Sequence, residues 1–217
     1  MERFISALSI TLLLMGFSAV AQVEPAFQDP VEQVVEAGLM SRMPDGDFRA
    51  KETISRAELA TILVKTFQLD RHHSTHASLI QVQDVPVSHW AYGDIQLVLR
   101  NGIMTGYREG RFFPDQRVTR AEAFAIFAQA YGVFQFPEET IDKVLAPYPD
   151  AAKIPDWARK SMATALYEGF VNLKPGNEIA PLSPMTREDM AYALNAYLSR
   201  QQTPDKLFWR NVKPLRS

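Results

Sequence analysis

One four-residue pattern occurs three times in this chain: a hydroxyl residue, an arginine, a helix-forming residue and an acid. The copies begin at Ser55, Thr119 and Thr186, so they are separated by 64 and 67 residues. Each copy opens an apolar run, and a hydroxyl residue three positions before an acid is the capping box that begins a helix. A segment that recurs at this spacing predicts a fold built from three similar units.

The capping pattern explains the three acids but not the three arginines. The acids are interpreted as capping-box residues, and they are Glu58, Glu122 and Asp189. The arginines lie in the first helical turn, where the helix dipole disfavours a cation, and they are Arg56, Arg120 and Arg187. Two interpretations of the arginines stay open. They recognise an anion, with free backbone donors of the helix N-terminus beside them, or they form salt bridges to the neighbouring unit.

The composition is that of a soluble globular protein large enough to bury one sizeable core. Of 217 residues, 47% are hydrophobic and 22% are charged, with a net charge of −2. This charge balance predicts no polyanion-binding surface, so nucleic acid is not an expected partner. The sequence contains no cysteine, which excludes disulfides and thiolate chemistry.

The N-terminus has the pattern of a secretory signal. Three residues that include Arg3 precede an apolar run from Phe4 to Phe17, and Ala19-Val20-Ala21 has the form that signal peptidase cleaves. We therefore predict a signal peptide over residues 1–21 and no transmembrane segment after cleavage. The alternative, a membrane anchor, requires about 20 apolar residues, and this run is shorter.

The middle unit shows the order of elements. Pro86 and the residues after it predict a turn leading into an amphipathic helix from about Trp90, which ends at Asn101-Gly102. The glycine-rich stretch 103–114 predicts a turn or a short strand pair. A second helix begins at Thr119 and is apolar on nearly all sides, so the three second helices are expected to share a core. The first unit has a shortened first helix.

With these motifs in place, the chain resembles a tandem of three S-layer homology domains. The middle unit carries the opening Val-Gln-Asp84-Val, the His-Trp90-Ala segment, the Gly-Ile-x-x-Gly106-Tyr loop and the Thr-Arg120-Ala-Glu helix start. The predicted segments are repeat 1, shortened (22–70), repeat 2, the most complete (79–134), repeat 3 (147–200) and a C-terminal tail (201–217). The resemblance implies a mainly α fold. Each repeat is helix–loop–helix, in a pseudo-three-fold arrangement around a central three-helix bundle.

The resemblance also implies a function and a set of site residues. It implies a secreted protein of the bacterial cell envelope, in the cell wall or periplasm. Grooves between repeats would bind a peptidoglycan-linked cell-wall polysaccharide noncovalently, often one carrying a pyruvate ketal. The implied glycan contacts are Arg120, Asp84, Trp90, Gly106, Arg56, Arg187, Trp157, Asp150 and Asp29. The groove that relies most on the middle repeat is the best candidate, because that repeat alone keeps the loop glycine. The alternative for the tryptophans is a wedge in the core.

The sequence gives less support to an enzyme, a metal site or a protein-interaction module. The sequence lacks the nucleophile elbow, phosphate loop and zinc-protease motifs, so we expect no enzyme, no catalytic residue and no cofactor. His72, His73 and His76 are interpreted as a solvated loop and not as a metal site. The alternative function is a structural or protein-interaction module that has kept the fold and lost glycan binding. Phe208-Trp209 in the tail is a candidate contact for a separate envelope protein, and disorder is the alternative for that tail.

Overall fold

The computed structural model describes residues 29–72, 79–106 and 108–202. Seven α-helices lie in these ranges: α1 (Pro30–Glu36), α2 (Arg56–Phe67), α3 (Tyr92–Arg100), α4 (Arg120–Tyr131), α5 (Glu138–Leu145), α6 (Arg159–Tyr167) and α7 (Arg187–Gln202). Short 3-10 helices occupy Leu69–His72, Arg108–Gly110, Ala151–Lys153 and Asp156–Ala158. The β structure in this part of the chain consists of isolated bridges. The predicted mainly helical fold is confirmed.

Capping interactions begin the second helix of each repeat. In α2 and α4 the hydroxyl cap and the acid three positions later each accept a hydrogen bond from the other's backbone N–H. At α7 the Thr186 N–H donates to Asp189 Oδ2, and the Asp189 N–H donates to Thr186 Oγ1, each at 3.2 Å. Because these bonds satisfy N–H groups that a helix leaves without partners, they fix where each helix starts. The capping interpretation of the three acids is confirmed.

The second helices of the three repeats meet at the centre of the molecule. The ring of Phe67 in α2 lies 5.4 Å from the ring of Phe127 in α4 and 5.3 Å from that of Tyr197 in α7. Phe127 and Tyr197 are 6.2 Å apart, so the three rings contact one another. α4 buries side chains around most of its circumference, as its dense apolar sequence predicted. One helix per repeat therefore contributes to a shared core.

Three backbone segments pair with one another in cyclic order just before these helices. The Ile54 N–H donates to the Met185 carbonyl at 3.0 Å, Met185 N–H to Val118 at 2.9 Å, and Val118 N–H to Ile54 at 3.3 Å. Each repeat thus donates to one neighbour and accepts from the other, which closes a ring. This is the pattern of contacts expected of a pseudo-three-fold arrangement.

The first helices extend the same cyclic order. α3 packs on α2, α6 packs on α4, and α1 packs on α7. Each first helix therefore lies against the second helix of the preceding repeat. α1 has seven residues whereas α3 and α6 have nine each, which confirms the predicted shortening in the first repeat.

One local prediction was left open and one helix was missed. The stretch 103–114 was predicted as a turn or a short strand pair, and its described residues include turns and the 3-10 helix Arg108–Gly110. The helix α5 was not predicted, although Pro137 with Glu138 and Glu139 is a recognisable helix start, since acids in the first turn favour the helix dipole. This helix lies between the second and third repeats and packs on α6.

Several predictions fall outside the described ranges. The signal peptide (1–21), most of the tail (201–217), and His73 and His76 belong to them, and His72 only ends a 3-10 helix. The repeat boundaries stay predictions as well. Within 29–72, 79–106 and 108–202, no helix combines the length and the apolar character that crossing a membrane requires.

Candidate functional site

The motif arginines are buried and join consecutive repeats. Arg56, the first residue of α2, donates from Nε to the Phe112 carbonyl at 2.7 Å and from Nη2 to the Thr105 carbonyl at 2.8 Å. Its guanidinium lies over the Phe112 ring, 4.6 Å from the centroid. Only 5% of the residue is exposed. Burying a cation is costly, and these contacts compensate for that cost. Because the partners belong to the second repeat, they also join α2 of the first repeat to the loop of the second.

Arg187 makes the equivalent contacts between the third repeat and the first. Its Nε donates to the Phe48 carbonyl at 2.8 Å and its Nη2 to the Ser41 carbonyl at 2.6 Å. The guanidinium lies 4.7 Å from the centroid of the Phe48 ring. Burial lowers the pKa of Arg187 from its ordinary value.

The helix N-termini do not offer the free donors that the anion hypothesis expected. The Arg56 N–H donates to the Gln116 carbonyl and the Ala57 N–H to the Pro114 carbonyl, both at 2.9 Å. Equivalent bonds occur at the starts of α4 and α7, again to the loop of the next repeat. The first helical turns therefore hold the ring of repeats together.

Arg120 joins the second repeat to the third and has no exposed surface. We call this junction, where Arg120 meets the third-repeat loop and the start of α7, the third position of the ring. Its Nε donates to the Ile179 carbonyl at 2.8 Å, and its Nη1 donates to Asn172 Oδ1 at 2.9 Å. The same Nη1 is 2.8 Å from Asp189 Oδ1, so the salt-bridge alternative is confirmed for this arginine. Lys174 Nζ also donates to Asp189 Oδ1, at 2.7 Å. A glycan has no access to Arg120 while these contacts persist.

Asp189 is the centre of this closed network. Burial alone would raise its pKa, but hydrogen bonds from Lys174 and Asn172, together with the charge of Arg120, hold the pKa well below its usual range. Asp189 is therefore ionised at neutral pH. Because three side chains and the Thr186 N–H already bond its carboxylate, Asp189 offers little to a ligand.

The two predicted tryptophans are exposed. Trp90 is 65% exposed and Trp157 is 63% exposed, so the interpretation of these rings as core wedges is wrong. Each precedes the first helix of its repeat, and the His89 ring stacks against Trp90 with centroids 5.7 Å apart. An exposed indole supplies a flat apolar surface, which suits the face of a ring-shaped ligand.

Two inter-repeat grooves contain these tryptophans, and we name each after the repeat that supplies its loop. The second groove has a volume of about 370 Å³. It is bounded by the loop 102–106 of the second repeat, the face of α4 with Glu122 and Gln129, and Arg56 and Trp157 from the other two repeats. All three repeats therefore contribute to one site.

The first groove repeats this arrangement with different charges. It has a volume of about 190 Å³ and is bounded by the first-repeat loop 39–43, the face of α2 with Lys65, and Arg187 and Trp90. Arg42 stands where the second repeat has its loop glycine, and it forms an ion pair with Glu32. The cations in its wall make this groove the more basic of the two.

The structure regroups the predicted site residues. Gly106 shares the second groove with Arg56 and Trp157, and Trp90 shares the first groove with Arg187. The resemblance placed the sites between repeats but did not say which residues share a groove. In the structure each groove takes its loop, arginine and tryptophan from different repeats. At the third position the arginine is sealed, and the first repeat supplies no tryptophan at the matching place in its sequence.

The opening aspartates of the second and third repeats hold loops in place. Asp84 accepts hydrogen bonds from the N–H groups of Phe112 at 2.8 Å and Phe113 at 2.7 Å. Burial raises its pKa, but these two backbone bonds outweigh that effect and the pKa is lowered. Asp150 accepts the two equivalent N–H groups at 2.9 and 2.8 Å. Neither carboxylate lies in the wall of the two grooves.

Asp29 does not perform this loop-holding role. It caps α1 by accepting from the Val31 N–H at 3.0 Å, and Asp47 accepts from the Arg49 N–H at 2.8 Å within the first-repeat loop. The loops nevertheless share one left-handed residue, with φ of 53° at Arg49, 55° at Phe113 and 51° at Ala180. A local aspartate thus replaces the distant one in the first repeat.

Sequence reasoning missed the residues that the second helices contribute to the grooves. In α4 they are Glu122, Ile126 and Gln129, and in α2 they are Glu58, Thr61, Ile62 and Lys65. Both sets follow the i, i+4, i+7 spacing of one helix face, and this spacing is visible in the sequence. The capping acids Glu58 and Glu122 therefore also belong to the groove walls.

Comparisons with known proteins agree with the repeated motifs. The chain matches the family described as the S-layer homology domain over residues 17–60, 84–124 and 147–191, which together exceed half of its length. Among its relatives, the Surface-layer 125 kDa protein of Lysinibacillus sphaericus is 27% identical over 183 residues, or 83% of this chain and 15% of that protein.

Two further relatives show how the matched part is distributed. The Cellulosome-anchoring protein of Acetivibrio thermocellus is 26% identical over 80% of this chain and 40% of its own length. The Amylopullulanase of Thermoanaerobacterium thermosulfurigenes is 28% identical over 80% of this chain and 9% of its own. The chain spans less than half the length of each of these relatives. Since one of them is named as an enzyme, the expectation that this chain is not an enzyme stays a prediction.

Proposed function

The chain belongs to the S-layer homology domain family, and on that basis we propose that it attaches to the bacterial cell envelope by binding a cell-wall polysaccharide noncovalently. Two relatives are named as a surface-layer protein and a cellulosome-anchoring protein, which is consistent with an anchoring role. The observation that carries the proposal is the pair of grooves that combine an exposed indole with a motif arginine.

The second groove has the chemistry of a sugar site. The Trp157 indole provides an apolar wall for a pyranose face, while Glu122 and Gln129 provide hydrogen-bond partners for hydroxyl groups. Gly106 keeps the loop backbone open to a ligand. A Cβ at this position would lie only 3.1 Å from the Arg111 carbonyl oxygen, and a longer side chain would fill the groove.

The first groove suits an anionic sugar. Lys65 and Arg187 lie in its wall and generate a positive potential next to Trp90. Glu58 also lines the groove and leaves the cations in excess. A pyruvate ketal would present a planar carboxylate to these cations while its sugar ring packs on the indole. We therefore propose a pyruvylated wall polysaccharide as the ligand.

The proposal gives two glycan sites per chain. The third position lacks a tryptophan from the first repeat, and its arginine is enclosed by Asn172 and Asp189. Lys174 covers the same carboxylate and closes the network further. The motif arginines act in this proposal by positioning the loops, and Arg56 and Arg187 also reach the groove walls.

A sedimentation assay with isolated sacculi tests the proposal. The protein without its predicted signal peptide is mixed with cell walls before and after their attached polysaccharide is stripped. Trp90→Ala and Trp157→Ala should each lower the bound fraction, and the double variant should abolish it. Tyr167→Ala is the matched control, because Tyr167 is an aromatic residue of similar exposure that lines neither groove.

The outcomes separate the two candidate functions. The tryptophan variants should unfold at nearly the temperature of the parent, because each altered ring is mostly exposed. Tyr167→Ala should unfold at a slightly lower temperature, because it loses edge contacts with Phe134 and Phe136, and it should still bind walls as the parent does. If the folded double variant bound walls as well as the parent does, the grooves would not be the glycan sites. If the parent did not bind intact walls, the alternative of a protein-interaction module would replace glycan binding, with the tail as its first candidate contact.

A further inference from the structure

The first groove adjoins a second cleft that the proposed function does not use. This flanking cleft has a volume of about 300 Å³ and is lined by Ser55, Glu58, Trp90, Asp115 and Arg117. Glu58 and Trp90 line the first groove as well. Because the two cavities share these residues, a chain-like ligand lying on the indole can enter both.

We propose that the flanking cleft is a second sugar subsite, which takes the non-acidic neighbour of the acidic sugar bound in the first groove. The proposal rests on the proposed function of the first groove and specifies its ligand further. The ligand would be a segment of at least two sugars that crosses Trp90, with its acidic unit on the side of Lys65 and Arg187.

The charges of the flanking cleft favour a sugar without a carboxylate. Its wall contains the acids Glu58 and Asp115 and one cation, Arg117. That cation already donates from Nη1 to the Thr53 carbonyl at 2.7 Å and lies 3.5 Å from Glu58 Oε2. The excess negative charge would repel a second acidic sugar, whereas a carboxylate accepts hydrogen bonds from hydroxyl groups or from the N–H of an amino sugar.

Asp115 is the residue available to make such bonds. It is exposed. Among the described residues, it has no hydrogen-bond or ion-pair partner within the protein, so a ligand need not displace one. Its neighbour Gln116, in contrast, uses its carbonyl to receive the N–H of Arg56. Asp115 therefore contributes nothing evident to the fold, and its position in the cleft is what a specificity-determining residue requires.

The second groove lacks this charged extension. The backbone bridge between Ser55 and Arg117 has its counterpart between Thr119 and Pro184, which establishes the equivalent positions. At those positions the third repeat has Leu182 in place of the aspartate and Pro184 in place of the arginine. The two grooves are thus predicted to differ, with length-dependent binding only in the first.

The test measures how affinity depends on saccharide length. It uses a Trp157→Ala background, so that only the first groove contributes to the measured binding. The probes are a methyl hexosaminide carrying a pyruvate ketal and fragments of two to four sugars released from the wall polysaccharide. Isothermal titration calorimetry should show that this parent binds the two-sugar fragment about tenfold more tightly than the single sugar. Asp115→Leu, which introduces the residue found at 182, should erase this gain without changing affinity for the single sugar.

Two further variants define the result. Leu182→Asp makes the reverse change at the equivalent position of the inactivated groove and should leave the length dependence intact. Asp115→Asn keeps an acceptor and should retain most of the gain. Equal affinity of the parent for one and two sugars, or an undiminished gain in Asp115→Leu, would overturn the second subsite and leave glycan binding standing. Failure of every probe to bind would overturn glycan binding by the first groove, and the inference with it.

Discussion

The second groove and the third position of the ring share one framework and differ in access. Arg56 and Arg120 each begin a second helix and donate from Nε to a loop carbonyl of the next repeat, at 2.7 and 2.8 Å. At the second groove Trp157 and Gly106 leave the arginine beside an open cavity. At the third position Lys174 and its partners enclose it.

The difference separates two roles that the motif combines. The arginine and the first helical turn build the ring of repeats in every copy, irrespective of whether a groove is open. Access depends on the residues around the arginine. These include a loop position outside the pattern, which holds Gly106 in one repeat and Leu173 in another, and the acid of the third pattern, Asp189, which pairs with Arg120. A complete motif therefore indicates the fold, whereas the residues around the motif arginine determine whether a groove is open.

The largest effect is expected from removing the acid of the closed network. Asp189→Ala leaves the buried Arg120 without its ion-pair partner, which should lower the free energy of unfolding by about 3–5 kcal/mol. Glu122→Ala is the matched change in the open groove. There the acid serves as a cap, and its loss should cost about 1 kcal/mol. Urea denaturation followed by circular dichroism measures both, and equal losses would contradict the distinction.

The closed network should also make the stability of the protein sensitive to acid. The pKa of Asp189 is lower in the folded state than its ordinary value of 3.8, so its contribution is complete above that value and declines as the pH falls below it. Asp189→Asn should therefore flatten the loss of unfolding free energy between about pH 5 and pH 2. Denaturant titrations across this range measure the slope. An unchanged slope in the variant would assign the acid sensitivity to other carboxylates.

The three opening aspartates offer a comparison between repeats. Asp150 is buried and accepts two backbone N–H groups, so Asp150→Ala should cost about 2 kcal/mol of unfolding free energy. Asp84→Ala should cost somewhat less, since Asp84 is only half-buried. Asp29→Ala removes a single capping bond and should cost about 1 kcal/mol or less. Thermal denaturation ranks the three, and a ranking led by Asp29 would contradict the structure.

Local patterns predicted the elements of this fold well. The capping boxes located the starts of α2, α4 and α7, and the shortened first helix of the first repeat was visible as a missing segment. These features depend on residues a few positions apart, and the sequence displays such residues directly. The helix α5 shows the limit of this approach. It lies outside the repeated pattern, so no equivalent segment in another repeat was there to indicate it.

The grouping of site residues was not predictable in the same way. The sequence predicted arginine, tryptophan and loop glycine as candidates in grooves between repeats, but it did not predict which of them share a groove. In the folded chain Gly106 meets Arg56 and Trp157, which lie about 50 residues away on either side, because each groove forms between repeats. The burial of Arg120 was equally hidden, since it depends on Asp189 and Asn172 from the following repeat.

The smallest change in stability and a clear change in binding are expected from exchanging the loop residue. Gly106→Leu places the residue of the third repeat in the second groove. A Cβ there approaches the Arg111 carbonyl oxygen to 3.1 Å, which a small loop shift relieves, so the cost in unfolding free energy should stay below about 1 kcal/mol. In a Trp90→Ala background, the side chain should fill the groove and reduce retention on cell walls to that of the double tryptophan variant.

The reciprocal exchange, Leu173→Gly, shows why one residue does not make a site. It removes a partly exposed side chain from the third position, but the ion pairs of Asp189 with Arg120 and Lys174 remain. The first repeat also supplies no tryptophan at the matching place in its sequence. The variant should therefore gain no binding when both existing grooves are inactivated. Retention of walls by that triple variant would show that the loop residue alone decides access, and the indole would then be secondary.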